Sequence, residues 1–176
     1  MAAEGPRPSD EPLDRLVESL THEQLVEAVV KAAEWHDDVA RAIRLAAARK
    51  DRDLGVLRRE VDGTLRTRRF LDYWGSMEWA RAGRPVVAEL ELALRTAPSR
   101  ELVELLQRAV GYVVKVIQRA DDSSGLIADL AHELLVLHAR ACDAGVADPV
   151  KLIGRLREQY RRRPTLIAML DKAGFV

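Results

Sequence analysis

The chain has 176 residues, with 28 basic and 28 acidic side chains, 48% hydrophobic residues, 5% aromatics and one cysteine. A fold of this length buries roughly 70% of the surface its unfolded chain exposes, so it needs no disulfide or metal to build a core. Zero net charge argues against a dedicated binder of nucleic acid or anionic membrane, and no apolar run approaches the ~20 residues of a membrane span.

Residues 1–12 combine Gly5, Pro6, Pro8 and Pro12 with charges and no apolar spacing, so they are expected to form a disordered tail ahead of a single domain over 13–176. The segment is acidic and lacks the hydrophobic stretch of a secretory signal. The lone Cys142 rules out an intrachain disulfide and suits a reducing cytoplasm.

Beyond the tail every periodic segment repeats at three and four residues and none alternates, which predicts an all-α fold. Thr21 with Gln24 reads as a capping box opening a helix through Leu25, Val29 and Ala32. Asp37 or Asp38 opens the next, and Asp53 caps a third in which Leu54, Leu57, Val61 and Leu65 are spaced three, four and four. Tyr73-Trp74-Gly75-Ser76 reads as a break with Ser76 as the following cap, and Pro85 predicts a kinked or split helix. Ser99 caps the strongest helix of the chain. Its Glu104, Arg108, Gly111, Lys115 and Gln118 form one polar line, leaving an apolar arc wide enough to pack on two sides. Asp121-Asp122-Ser123-Ser124-Gly125 leads into a helix that Gly145 stops. Asp148-Pro149 opens another, through Leu152 and Leu156 to Tyr160, and Pro164 begins a last one ending near Gly174. Seven or eight helices with short connections predict an antiparallel stack of helical hairpins, similar to a diverged α-solenoid without a strict repeat.

Charge is blocked along the chain: ten acids against three bases in 1–38, ten bases against four acids in 41–69, twelve acids against eight bases in 71–150, and six bases against one acid in 151–163. Arg59 and Arg66, seven apart, are expected to share a helix face and, with Arg69, are the candidate nucleic-acid contacts. If acidic 71–150 folds beside basic 41–69, those arginines are neutralised within the stack.

No spacing of His, Cys or carboxylates suggests a metal site. Asp129, His132 and Glu133 share a helix face opposite the leucines and read as a solvated stripe, with His138 pointing elsewhere. Cys142, Ser123 and Ser124 lack a neighbouring base, and there is no nucleophile elbow or phosphate loop. The Asp121, Asp122 and Ser123 turn reads first as a helix cap, and second as a cation- or partner-binding loop, though it lacks an EF-hand's ligand spacing. Phe70, Tyr73, Trp74 and Trp79 are expected to fill a junction between helix pairs, or to leave Tyr73 and Trp74 as partner anchors.

Phe70-Leu71-Asp72-Tyr73, the Asp-Asp-Ser-Ser-Gly turn at 121–125, Ala147-Asp148-Pro149-Val150 and the stretch from Arg162-Arg163-Pro164 to Gly174 together resemble the helical region of bacterial proteins that often carry an N-terminal SWIM-type zinc finger. The resemblance covers most of 20–174 and implies an α-helical module, with no reaction and no catalytic residues. A SWIM finger takes a Cys-x-Cys pair and a Cys-x-His, which one cysteine cannot supply, so zinc and finger-mediated DNA binding do not carry over. The expected function is a non-enzymatic scaffold that binds another protein, without cofactor. The alternatives are a nucleic-acid accessory protein using blocks 41–69 and 151–163, and an enzyme of unrecognised type.

Overall fold

The computed structural model describes residues 12–51, 53–146 and 148–172. The expected tail, apart from Pro12, and the stop near Gly174 lie outside the described residues. Among them are nine helices, α1 (Leu13–Ser19), α2 (His22–Trp35), α3 (Asp37–Asp51), α4 (Leu54–Leu65), α5 (Tyr73–Thr96), α6 (Arg100–Ile117), α7 (Leu126–Asp143), α8 (Pro149–Gln159) and α9 (Pro164–Lys172). The fold is all-α, with one helix more than the upper expectation: α1, whose Leu13, Leu16, Val17 and Leu20 repeat at three and four just after the proline-rich stretch. No helix among the described residues is long and apolar enough to cross a membrane.

The chain divides into two compact units, Met1–Arg44 and Leu45–Val176. In the first, the Thr21–Gln24 capping box forms as expected, and neither α1 nor α2 buries a residue. Leu13, Val17, Val26, Val30 and Trp35 stay exposed there.

The second unit is a stack of antiparallel hairpins. Asp53 caps α4 through Gly55 and Val56 N–H, and Ser99 caps α6 through Leu102 N–H. Helix α6 buries Leu102, Val103, Leu105, Leu106, Ala109, Val110, Val113, Val114 and Val116, and it packs on α4, α5 and α7 together. Salt bridges Arg84–Glu133 and Arg140–Glu91 tie α5 to α7 in the same chain sense. Asp62–Arg108 and Arg119–Thr67 tie α4 and the connection after it to α6 likewise. Helices α4 and α6 therefore lie side by side, as α5 and α7 do, with α4 packed on α5 and α6 on α7.

Two boundaries differ from expectation. Helix α5 begins at Tyr73, because Asp72 accepts from Gly75 N–H at 2.8 Å and caps it upstream; Ser76 is instead buried in the first turn. It also runs unbroken through Pro85. That proline is exposed, so water can serve the carbonyl it leaves unpaired. The cost of an interior proline, about 3 kcal/mol, is offset by the burial of Val86, Val87 and Leu90 on the opposite side. At the other end, Gly145 stops the chain after α7 at φ 72°, and α8 ends one residue before the buried Tyr160.

The turn before α7 behaves as a cap, but its parts divide. Both oxygens of Asp122 accept from the helix, from Ile127 N–H at 3.0 Å and Ala128 N–H at 2.8 Å, across a Gly125 held at φ 75°. Ser123 takes no part, since its N–H and hydroxyl both donate to Asp121. Asp122→Ala is therefore expected to cost about 1–2 kcal/mol, and Ser123→Ala less than about 0.5. Urea denaturation of the two single variants separates them; equal losses would contradict this division.

Candidate functional site

Between the end of α4 and α6 lies a hollow of about 480 Å³ lined by Leu65, Arg66, Thr67, Arg68, Arg108, Tyr112, Lys115 and Arg119. Five of these eight side chains are cationic. A second hollow of about 330 Å³ continues over Gly111 to α8, sharing Arg108 and Lys115 and adding Arg155. Arg108, Gly111 and Lys115 of the polar line read along α6 are thus the floor of a mainly basic channel, with Glu104 at its α8 end, and Arg66, Arg68 and Arg155 from the two basic blocks stand on either side of it.

The α6 side is ordered by one carboxylate. Asp62 accepts from Arg108 Nε at 2.6 Å and Nη2 at 2.9 Å, and from the Tyr112 hydroxyl at 2.8 Å. The Arg108 guanidinium holds Asp62 below the ordinary carboxylate range against the opposing effect of burial, and burial is the larger reason that Tyr112 is pushed up. Arg108 also sits 5.5 Å from the Tyr112 ring centroid. Asp62 thus fixes Arg108 in place, and its charge is largely spent on that pair.

The α4 side is held by Arg119. Its Nη2 donates to Thr67 C=O at 3.2 Å, its own C=O accepts from Leu71 N–H at 3.2 Å, and Asp121 N–H donates to Leu71 C=O at 2.8 Å. These bonds fasten the 66–72 connection to the end of α6. Arg66 and Arg68 are exposed and form no salt bridge among the described residues.

The neutralisation expected of the basic block is found at Arg49 but is corrected for Arg59, Arg66 and Arg69, which form no salt bridge among the described residues. Of 41–69, Arg49 pairs with Glu89 at 2.9 Å, whereas Glu91 and Glu133 pair with Arg140 and Arg84 of their own block. Arg66 and Arg68 line the hollow with further cations, and Arg66 also helps to hold down the pKa of Asp62. Arg59 and Arg66 do not share a helix face, because Arg66 is past the end of α4 with extended backbone. Neither Arg59 nor Arg69 lines the hollow. Tyr112 and Arg119 were missed from sequence. Their signal was proximity to the polar line, at positions next to Gly111 and Gln118.

Of the two aromatic readings, the junction-filling one is corrected for Phe70, Tyr73 and Trp74. Phe70 is 72% exposed, Trp74 73% and Tyr73 38%, and only Trp79 of the four packs against the core. Asp121 and Asp122 are occupied by Ser123 and α7, so the turn brings no open carboxylate cluster. Of the stripe on α7, Asp129 is exposed, Glu133 pairs with Arg84, and His132 is half-buried with Nδ1 unpartnered. Among the described residues no group of three His, Cys, Asp or Glu could hold a metal ion.

Sequence reasoning overlooked a buried pair at i,i+4 on α7. His138 is fully buried, with Nε2 at 3.1 Å from Gln107 Nε2 and Nδ1 at 3.6 Å from Cys142 Sγ. Burial lowers the imidazole's pKa; burial, reinforced by Asp143 and Asp148, raises the thiol's. Both shifts favour the neutral pair, the opposite of an activated thiolate. Because the folded state resists a proton that the unfolded state takes up near pH ~6.5, His138 contributes stability above that pH and loses it as pH falls toward the lower folded value. Urea midpoints at neutral and mildly acid pH should therefore differ more in the native chain than in His138→Gln. An equal difference would show that other groups carry the acid sensitivity.

The architecture and site together define an all-α stack of helical hairpins with a basic channel over its central helix. No protein-family model matches the chain, and no curated protein or solved structure matches it.

Proposed function

We propose that this chain is a non-enzymatic binding module that holds nucleic acid over α6, in the hollows lined also by the residues that follow α4 and by α8. The observation that carries the reading is the hollow in which Arg66, Arg68, Arg108, Lys115 and Arg119 converge with one carboxylate already paired. Cations brought together in this way displace condensed counterions from a phosphate chain, which supplies affinity without net positive charge on the whole protein. A chain of zero net charge still carries such a cluster because charge is unevenly distributed along its sequence, with ten acids against three bases in 1–38.

The test is fluorescence anisotropy with a labelled oligonucleotide across a salt series. The double variant Arg66→Ala/Lys115→Ala should weaken binding about tenfold or more and flatten the salt slope by about 1 per cation removed. Gly111→Glu provides a second check. A Cβ at Gly111 meets nothing within 4 Å, so a carboxylate can be placed between Arg108 and Lys115 without disturbing the fold. Binding that survives both variants would overturn the reading, as would no binding at low salt.

A protein scaffold is the second reading, favoured by the exposure of Tyr73 and Trp74. On this face its partner would present an acidic segment.

A further inference from the structure

The stretch from Arg66 to Trp74 carries three cations followed by three rings: Arg66, Arg68 and Arg69, then Phe70, Tyr73 and Trp74. Phe70 and Trp74 leave nearly three quarters of their surface in water, although the neighbouring Leu71 packs against the core. The backbone that carries them is not free to tuck them in. Leu71 is bonded on both sides to Arg119 and Asp121, and Asp72 is spent capping α5. Trp74 is further set by Tyr73, whose ring meets it edge-on at 5.2 Å and 80°. Phe70 lies two residues beyond Arg68, a lining residue of the hollow, so their Cα atoms are within about 7 Å. Phe70 is thus next along the backbone to the cationic hollow, and Trp74 follows four residues later in the first turn of α5.

From this juxtaposition, and resting on the nucleic-acid reading above, we propose that the bound nucleic acid is single-stranded, with phosphates in the hollow over α6 and bases stacked on Phe70 and Trp74. In a duplex the base faces are covered by one another, so these rings find nothing to stack on; an unpaired strand offers a face at every base. Stacking is sequence-tolerant, which suits a site whose cations are flexible Arg and Lys side chains rather than a groove-reading helix. The acids around the hollow and the connection are engaged: Asp62 by Arg108 and Tyr112, Asp72 by Gly75 N–H, Asp121 by Ser123, and Glu104 by Arg100. With Arg108 already paired, four cations remain for phosphates. The logarithm of the binding constant should then fall with the logarithm of salt at a slope of about −3.

The experiment uses the full chain with labelled oligo(dT), oligo(U) and a duplex of equal length, with poly-glutamate as competitor. Either single strand should bind about tenfold tighter than the duplex. Phe70→Ala and Trp74→Ala should each remove about tenfold from the single strand and leave the duplex unchanged. Both rings are on the surface, so neither variant threatens folding; unchanged circular dichroism verifies this. Equal affinity for single strand and duplex, with the ring variants silent, would overturn this inference and leave the nucleic-acid reading standing. No binding to any of the three, or displacement of every strand by poly-glutamate at lower concentration than by unlabelled oligonucleotide, would overturn both and point to an acidic protein segment as the ligand.

Discussion

Leu106→Ala is expected to destabilise the chain by about 3 kcal/mol. Leu106 is fully buried on α6, the helix that packs on α4, α5 and α7 at once, so the methyl groups removed are surrounded by elements anchored on several sides. A site confined in this way relaxes poorly and keeps most of the cavity, which adds to the lost transfer energy of the side chain. Leu92→Ala on α5 is the matched control, because Leu92 is exposed and its truncation should cost under about 1 kcal/mol. Urea unfolding followed by circular dichroism gives both values. A loss at Leu106 no greater than at Leu92 would mean that α6 is not the central element of the core.

Gly83→Leu is expected to cost about 3 kcal/mol for the opposite reason, overpacking. A Cβ built at Gly83 would lie 2.8 Å from Leu130 Cδ2 and 3.0 Å from Leu65 Cδ2, with both leucines themselves fully buried. Helix α5 can approach α4 and α7 this closely only where it has no side chain. Gly83→Ala should be milder, since about 1 kcal/mol of improved helix propensity works against the clash. Gly111→Ala should stabilise by about 0.5–1 kcal/mol, because the same propensity gain meets open space. Thermal or urea midpoints of the three variants should fall in that order, and a Gly83→Leu protein as stable as the parent would refute the close approach.

The polar line placed Gly111 on a solvated face, but nothing in the local sequence marks Gly83 as the point of closest approach. The difference lies in which neighbour faces them. Helix α5 illustrates the same limit at its start. Asp72 and Ser76 are both good caps, and the choice of Asp72 follows from the bonds that hold Leu71 to Arg119 and Asp121, nearly fifty residues away in the chain. The exposed rings of Phe70 and Trp74 have the same origin, since the tethered connection holds them outside the core that aromatic residues ordinarily fill.

At the candidate site, the alternating charge blocks and the α6 polar line were legible, and Arg66 was singled out for the right block. The pairing of Arg59 with Arg66 failed because it assumed one continuous helix through both. Arg108 and Lys115 were visible as a solvated face, but their convergence with Arg66 and Arg68 was not.

The all-α class, the caps at Thr21, Asp53, Ser99 and Asp122 and the two-sided burial of α6 are properties of local sequence. A cap is a bond between residues two to six positions apart, and helical periodicity repeats within a few turns, so both are present before any distant contact forms. Which cations share a hollow, which glycine is crowded, and how His138 comes to lie between Gln107 and Cys142 were decided by lateral packing. Neighbouring helices in a hairpin stack bring together side chains some thirty to fifty positions apart, and their rotation about their own axes is set by the interlocking of buried leucines and valines rather than by the polar residues that end up facing one another.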